Sequence, residues 1–289
     1  MRTEYRITHR ARLWLLPLAL AQMSSSAAGQ QPDAPRAGIS LSPSVVMLSG
    51  RPGQAHRQQL RLTNHTSREL AFRLEAQDVI SDDGRRAFIA AGERAGSIAA
   101  TAVFSPKEIV IAPGAVGIAE VTFTMPTGSS IRGVAAIFRG QTVVGTQRGV
   151  AMTASLGSLI TFTVSDNIRL DGGVPDIAGQ TDASNLAVTE WVTNVGTEPV
   201  VASGAAAFLS EGGALVGRVP MEPQRLMPGE RLAFRAEYPG LLTPGRYRIV
   251  LSLEYDDDAR KVLTRTADFA VPPASDARRD ADRSAGVLR

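Results

Sequence analysis

The chain has 289 residues, 44% of them hydrophobic and 20% charged, and no cysteine, a composition typical of one or two globular domains without disulfide bonds. Only 5% of the residues are aromatic, whereas glycine (27) and proline (17) are frequent, which favours short strands and turns over long helices. The formal charge of +3 is carried by the first twelve residues, so the rest of the chain is neutral overall and a nucleic-acid partner is disfavoured.

The first 28 residues have the three parts of a secretory signal peptide. Arginines up to Arg12 are followed by the apolar run Leu13–Ala21 and by the small residues Ser24–Ala28. We expect cleavage after Ala28, with cleavage one residue earlier as a close alternative. An uncleaved anchor is the lesser possibility, because nine apolar residues are too few to span a hydrocarbon core of about 30 Å. The sequence therefore predicts an exported protein, periplasmic or at the cell surface, with no membrane span after removal of signal peptide 1–28.

From Gly38 onward, apolar and polar residues alternate with the period of half-buried strands. Turn-forming residues interrupt the alternation at short intervals, as at Asp82–Gly84 and Pro244-Gly245, and no segment has a helical period. The clearest alternating runs are Leu60/Leu62, Leu70/Phe72/Leu74, Val121/Phe123/Met125 and Tyr247/Ile249/Leu251/Leu253/Tyr255. Because such strands must bury one face against a second sheet, we predict an all-β protein of antiparallel β-sandwiches, with closed barrels as the alternative.

An internal repeat predicts two copies of one fold. Thr63-Asn64 and the later Ile111–Gly114 reappear as Thr193-Asn194 and Leu226–Gly229. The first copy is longer, and we assign the difference to an inserted loop or hairpin over 81–100. We predict immunoglobulin-like sandwiches over 38–166 and 175–271, each near the usual ~100 residues, a linker over 167–174 and a disordered polar tail over 272–289.

The mature chain lacks the groups that catalysis or metal binding usually requires. It has no cysteine and no G-x-S-x-G motif, and its two histidines, His56 and His65, are expected in solvent-facing loops. The run Asp256–Asp258 has the composition of a Ca²⁺ ligand set, but we favour a hairpin turn. We predict no enzyme, with no catalytic residue, cofactor or metal site. Asn64-His65-Thr66 is a weak N-glycosylation sequon.

The best candidate for an interaction surface is the segment Gly149–Ser165. Its apolar residues share one face of a predicted strand that is able to pair with the edge of a partner's sheet. The alternative is that this strand is the last core strand of the first sandwich. The candidate strand-pairing residues are Leu156, Ile160, Phe162 and Val164.

Several motifs resemble those of a known family. Phe104–Gly114, Met125-Pro126 and Gly133–Phe138 look like the N-terminal domain of the WxL-interacting cell-surface proteins, which have two immunoglobulin-like domains. Their second domain is matched by Thr193–Gly196, Leu226–Glu230 and Leu242–Tyr247. The resemblance implies binding of peptidoglycan by the first domain and of host or matrix proteins by the second.

The chain is also similar, more distantly, to the PapD-like periplasmic pilus chaperones, whose first domain donates an apolar strand to a fibre subunit. This resemblance places Leu156, Ile160 and Phe162 in the donor strand. The family holds the subunit's terminal carboxylate with a basic pair, whereas the corresponding stretches here, Pro43–Val45 and Ile160–Phe162, contain no basic residue.

Together these features predict a non-enzymatic, exported binding or scaffold protein of the cell envelope that recognises wall polymer or surface proteins. The alternative function is a periplasmic PapD-like chaperone that assembles pilus subunits by strand donation. The expected partner is accordingly an envelope protein or cell-wall polymer, or, under the alternative, a pilus subunit.

Overall fold

A computed structural model of the chain describes residues 38–141, 155–178, 186–256 and 261–273. The predicted signal peptide and tail residues 274–289 lie outside these ranges. The described part is built of strands, with one turn of 3-10 helix at Ala99–Thr101. Across the described ranges, no helix combines the length and the hydropathy needed to cross a membrane.

The first sandwich consists of two sheets that enclose one core. One sheet has the strand order β1-β3-β8-β6, and the other has the order β2-β10-β9-β4-β5, with β7 pairing on β4. The strands are β1 (Ile39–Ser42), β2 (Val45–Ser49), β3 (Ala55–Asn64), β4 (Leu70–Asp82), β5 (Arg85–Ala90), β6 (Val103–Ser105), β7 (Glu108–Ile111), β8 (Val116–Thr124), β9 (Gly133–Gln141) and β10 (Ser155–Thr163).

Alternation along each strand builds the core of this sandwich. Leu60 and Leu62 of β3 and Phe123 of β8 come from the first sheet, and Phe72 of β4 and Phe138 of β9 come from the second. Their rings and methyl groups are almost completely buried. The alternating runs detected in the sequence therefore face inward, as predicted.

Residues 81–100, expected as an inserted loop or hairpin, contain the turn and second strand of the β4–β5 hairpin. Asp83 and Gly84 both have positive φ, 47° and 74°, as a two-residue hairpin turn with the twist of its strands requires. The following loop is held by Asp78, whose Oδ1 accepts hydrogen bonds from the N–H groups of Ile98 and Ala99.

The second sandwich repeats this arrangement. One sheet contains β11, β13, β12 and β16, and the other has the order β15-β14-β17-β18. The strands are β11 (Leu170–Gly172), β12 (Asp176–Ala178), β13 (Leu186–Asn194), β14 (Val200–Ser210), β15 (Leu215–Leu226), β16 (Arg231–Tyr238), β17 (Gly245–Tyr255) and β18 (Lys261–Val271). The two tandem immunoglobulin-like sandwiches predicted from the sequence are confirmed.

The segment expected as a linker, 167–174, is partly structured. Its residues Leu170–Gly172 form β11 and pair with Val192–Asn194 of β13, and Leu170 belongs to the second core. The pairing occurs because Leu170 continues the apolar alternation of the second sandwich, which the neighbouring Gly172-Gly173 obscured in the sequence. The remaining domain boundaries stay a prediction.

The repeat in the sequence corresponds to a hydrogen-bonded connection between two turns that occurs once in each sandwich. Asn64 Nδ2 donates to the backbone oxygens of Arg68 and Ile111, and the N–H of Gly114 donates to the Asn64 carbonyl oxygen. In the second copy, Asn194 Nδ2 bonds the carbonyls of Glu198 and Leu226, and the N–H of Gly229 donates to the Asn194 carbonyl oxygen. Each asparagine thus ties the turn after its strand to a Pro-Gly turn distant in sequence.

Candidate functional site

The four residues predicted as a strand-pairing surface lie on β10 and in the loop just after it, and they face the first core. Ile160 and Phe162 have only 0% and 1% of their surface exposed. Leu156 and Val164 are half-buried and pack against the same core. As side chains, Ile160 and Phe162 are therefore unavailable to a partner, because the second sheet buries its apolar face against the first. The alternative expectation, a core strand of the first sandwich, therefore fits Ile160 and Phe162.

The backbone of β10 is nevertheless open along part of one edge. Residues 155–161 pair with β9, but on the other edge only Leu159–Thr163 pair, in parallel, with Val45–Ser49 of β2. The N–H of Leu159 donates to the Ser44 carbonyl oxygen. Because alternate residues point their backbone groups to the same edge, Ser155 and Gly157 direct theirs to that side, where no described strand pairs with them.

An apolar groove of about 420 Å³ lies beside this open edge, on the outward face of the second sheet. Phe88 on β5 is 55% exposed and stands at the far side of the groove from Gly157. The outward face of β9 forms the floor. The groove is lined by Gln77, Arg86, Phe88, Ala135, Ile137, Ser155, Leu156, Gly157 and Leu159.

The apolar surface continues past the groove in both directions. Leu159 pairs in register with Val45 of β2 and with Ala135 of β9, and Val45 is exposed. In the other direction, Met227 of the second sandwich packs on Ala135 and Val79. The outward face is thus partly covered by the second sandwich and partly open, and the open part is the groove with the strip toward β2.

Arg86, which lines the groove, meets Arg225 of the second sandwich. Arg86 Nη2 donates to the Arg225 carbonyl oxygen and to Glu230 Oε2, each at 2.8 Å. Arg86 Nε and Arg225 Nη1 are buried and have no hydrogen-bond partner in the described residues. Burial and the neighbouring Arg86 charge lower the pKa of Arg225. The Arg86 Nε and Arg225 Nη1 nitrogens are enclosed by the protein, while the rest of the Arg86 guanidinium, a group suited to binding a carboxylate, is 29% exposed as a side chain.

The sequence did not predict this pair. Arg86 and Arg225 are 139 positions apart, and neither belongs to a motif that points to the other. Only the docking of the β4–β5 hairpin against β15 brings them together. No local pattern marks such a contact.

Buried ion pairs attach the two sandwiches to each other. Arg132 Nε donates to Glu198 Oε2 at 3.0 Å, and the same carboxylate accepts hydrogen bonds from the Val164 N–H and the Ser165 hydroxyl. Glu198 is completely buried. At the other side of the contact, Glu230 accepts from Arg86 and from the Met227 N–H. These bonds hold Met227 and the rest of the second sandwich against the outward face of the first.

Both histidines and the first residue of the aspartate run have defined places in the structure. His56 is not in a loop but on β3, where its ring meets the edge of Phe162 with centroids 5.4 Å apart, because the strand begins earlier than its alternation indicated. His65 does lie in a turn and contacts the Ser40 hydroxyl. Asp256 occupies a turn with φ of 62° and pairs with Lys261, while the next two aspartates lie outside the described residues.

No family model matches the chain, and neither does any curated protein sequence. Among solved structures, the chain is similar to the class 5 fimbriae chaperone CfaA, with 11% identity, a TM-score of 0.43, and coverage of 82% of this chain and 100% of that one. It is also similar to the Pseudomonas aeruginosa CupB2 chaperone, with 10% identity, a TM-score of 0.35, and coverage of 80% and 99%.

A third similar structure is the E. coli chaperone DraB, with 10% identity, a TM-score of 0.36, and coverage of 80% of this chain and 95% of that one. All three structures are named as chaperones, the class to which the more distant of the two sequence resemblances points. None of them is a WxL-interacting protein.

Proposed function

We propose that the protein is an exported chaperone that binds an extended segment of a surface-fibre subunit along the open edge of β10. The observation that carries the proposal is the edge itself: Ser155 and Gly157 present backbone donors and acceptors beside an apolar groove. An incoming strand satisfies such groups and places alternate side chains on the outward face of the sheet, beside Ser155 and Gly157 at the border of the groove. β10 then becomes a strand shared between chaperone and client.

Peptide chemistry suits this surface better than the wall polymer favoured from the sequence. The groove walls are Phe88, Ile137 and Leu159, which offer a sugar polymer few hydrogen bonds, whereas apolar side chains of a peptide gain free energy by burial there. A protein client therefore replaces wall polymer as the leading hypothesis.

Arg86 adds an electrostatic requirement to the client. It lines the groove and has 29% of its side chain exposed, and we assign its guanidinium to a carboxylate of the bound segment, from an acidic side chain or a chain terminus. A buried charge-assisted hydrogen bond of this kind contributes about 1.5–3 kcal/mol.

Gly157→Glu tests the proposal. A Cβ at Gly157 has its nearest neighbour at 3.8 Å, so the free protein accepts the side chain, while the new carboxylate projects into the apolar groove. The matched control is Gly212→Glu, where a Cβ meets nothing within 4 Å, in a turn of the second sandwich. Both variants are expected to have the melting temperature of the wild type.

The tagged mature proteins are recovered from the natural host's envelope without detergent, and the co-purifying components are quantified. We expect the wild type and Gly212→Glu to retain one subunit in a fixed ratio and Gly157→Glu to lose at least tenfold of it. Equal retention by all three proteins would place binding elsewhere. Recovery of wall polymer in place of a subunit would reinstate the scaffold hypothesis.

A further inference from the structure

Glu190 is a carboxyl group enclosed in the core of the second sandwich, far along the chain from the groove residues. It lies on β13, on the same face as the apolar Val188 and Val192, and pairs in register with Phe234 of β16. The residue has 0% of its surface exposed. Both carboxylate oxygens are buried, and the described residues provide neither with a hydrogen bond. An ionised carboxylate in such a place is costly.

The edge of β13 beside Glu190 is covered by two short strands with a break between them. β11 pairs with Val192–Asn194, and β12 pairs with Ala187–Thr189. Gly172, the last residue of β11, lies directly over the carboxyl group, since a Cβ added there would collide with Glu190 Oε1. β11 therefore covers the buried carboxyl group of Glu190, and it is only three residues long.

Arg265 of β18 holds β11 in place from the other sheet. Its Nε donates to the Gly172 carbonyl oxygen at 2.9 Å, and its Nη2 pairs with Asp171 Oδ1 at 3.1 Å. The side chain points toward the inner side of β18, like the buried Leu263. The same guanidinium is the cation whose charge acts on Glu190.

The other charged groups on the surrounding elements are turned away. Asp176 of β12 is exposed, and Arg231 and Arg235 of β16 lie on its outward face. Lys261 of β18 is engaged by Asp256 and by the Ile168 carbonyl oxygen. Asp171 faces Arg265, as described. Burial raises the pKa of Glu190 from 4.5 to about 7, although the charge of Arg265 opposes the rise.

We propose that Glu190 and Arg265 form a pH-sensitive latch on β11. When Glu190 is neutral, Arg265 stays bonded to Asp171 and Gly172 and β11 remains attached. When Glu190 ionises, the buried charge draws Arg265 inward as its counter-ion, both bonds to β11 are given up, and β11 detaches from the edge of β13. For a protein that we expect outside the cytoplasm, the external pH then sets the state of this edge.

The sign of the stability effect follows from the direction of the pKa shift. A group with a higher pKa in the folded state binds more protons there, so the free energy of unfolding falls as the pH rises from 4.5 to about 7. Above that range the fall is complete. Glu190→Gln keeps the shape of the neutral acid, so this variant is expected to lose the fall, whereas the exposed Glu237→Gln is expected to retain it.

Hydrogen exchange reports the attachment of β11. Amide exchange of Leu170–Gly172, corrected for the intrinsic pH dependence, is measured at pH 5.5 and pH 8. We expect at least a tenfold faster exchange at pH 8 in the wild type and in Glu237→Gln, and no change in Glu190→Gln. Arg265→Gln, which lacks both bonds to β11, is expected to exchange fast at either pH.

Equal exchange of β11 at the two pH values in the wild type overturns the latch, and so does a pH response that survives in Glu190→Gln. Should Glu190→Gln fail to fold, the carboxyl carbon of Glu190 in the wild type is titrated by NMR. A midpoint near the ordinary 4.5 would overturn the proposal as well.

Discussion

Asn64 and Asn194 show how single polar side chains hold each sandwich together. Both are completely buried, and each Nδ2 donates to a carbonyl group of the turn just after it and to one distant in sequence. The burial of Asn64 also makes the sequon unusable in the folded chain, since its amide nitrogen is enclosed and already donates hydrogen bonds. The glycosylation motif of the sequence is thus a structural asparagine.

Replacement of either asparagine by alanine is expected to lower the free energy of unfolding by about 2–3 kcal/mol. The substitution leaves buried carbonyl oxygens without donors, and an unsatisfied buried acceptor costs about 1–3 kcal/mol. Urea denaturation of Asn64→Ala and Asn194→Ala measures the effect. Asn167→Ala, at an exposed position, is the control and should match the wild type. Wild-type stability in both buried variants would show that water or rearrangement replaces these bonds.

At the scale of the element, the two halves of β10 have different surroundings. The half from Leu159 to Thr163 pairs with β2 over its whole length and with β9 as far as Thr161, and it carries Ile160 and Phe162 into the core. The half from Ser155 to Ser158 is paired on one edge only among the described strands. The sequence indicated this strand and two alternative uses for it, pairing with a partner or a place in the core. It did not indicate that side chains of one half fill the core while backbone groups of the other half stay unpaired by described strands.

Core and groove residues of β10 are therefore expected to respond differently to truncation. Phe162→Ala should cost about 3–5 kcal/mol of stability, as is usual for a buried phenylalanine. Leu159→Ala, on the outward face, should cost less and weaken retention of the client. The two effects are measured by urea denaturation and by co-purification. A Phe162→Ala protein with unchanged stability would contradict the assignment of β10 to the core.

At the scale of the whole molecule, the contact between the sandwiches depends on buried carboxylates of the second sandwich. Glu198 and Glu230 each receive an arginine and a backbone N–H. Met227 of the second sandwich packs on Ala135, which lines the groove. These bonds therefore also hold the second sandwich next to the groove.

Arg132→Ala is expected to lower the free energy of unfolding by about 3–5 kcal/mol, because it leaves the buried Glu198 without its counter-ion. The double variant Arg132→Met/Glu198→Leu removes both charges and should recover most of that loss. Arg248→Ala breaks the exposed pair with Asp268 and should change little. Calorimetric or urea unfolding checks all three. A single variant as stable as the wild type would mean that solvent reaches Glu198.

The sequence determined the strands, the tandem sandwiches and the paired asparagine turns, because alternation and turn chemistry are local properties of the chain. The sequence did not predict that His56 and residues Leu170–Gly172 of β11 lie in strands, since His56 and Gly172-Gly173 interrupt that alternation. Only the tertiary structure decided which edge stays open, that Arg86 meets Arg225, and that Glu190 is enclosed. These features depend on strand order and register between distant segments, and the same local pattern is compatible with many such pairings.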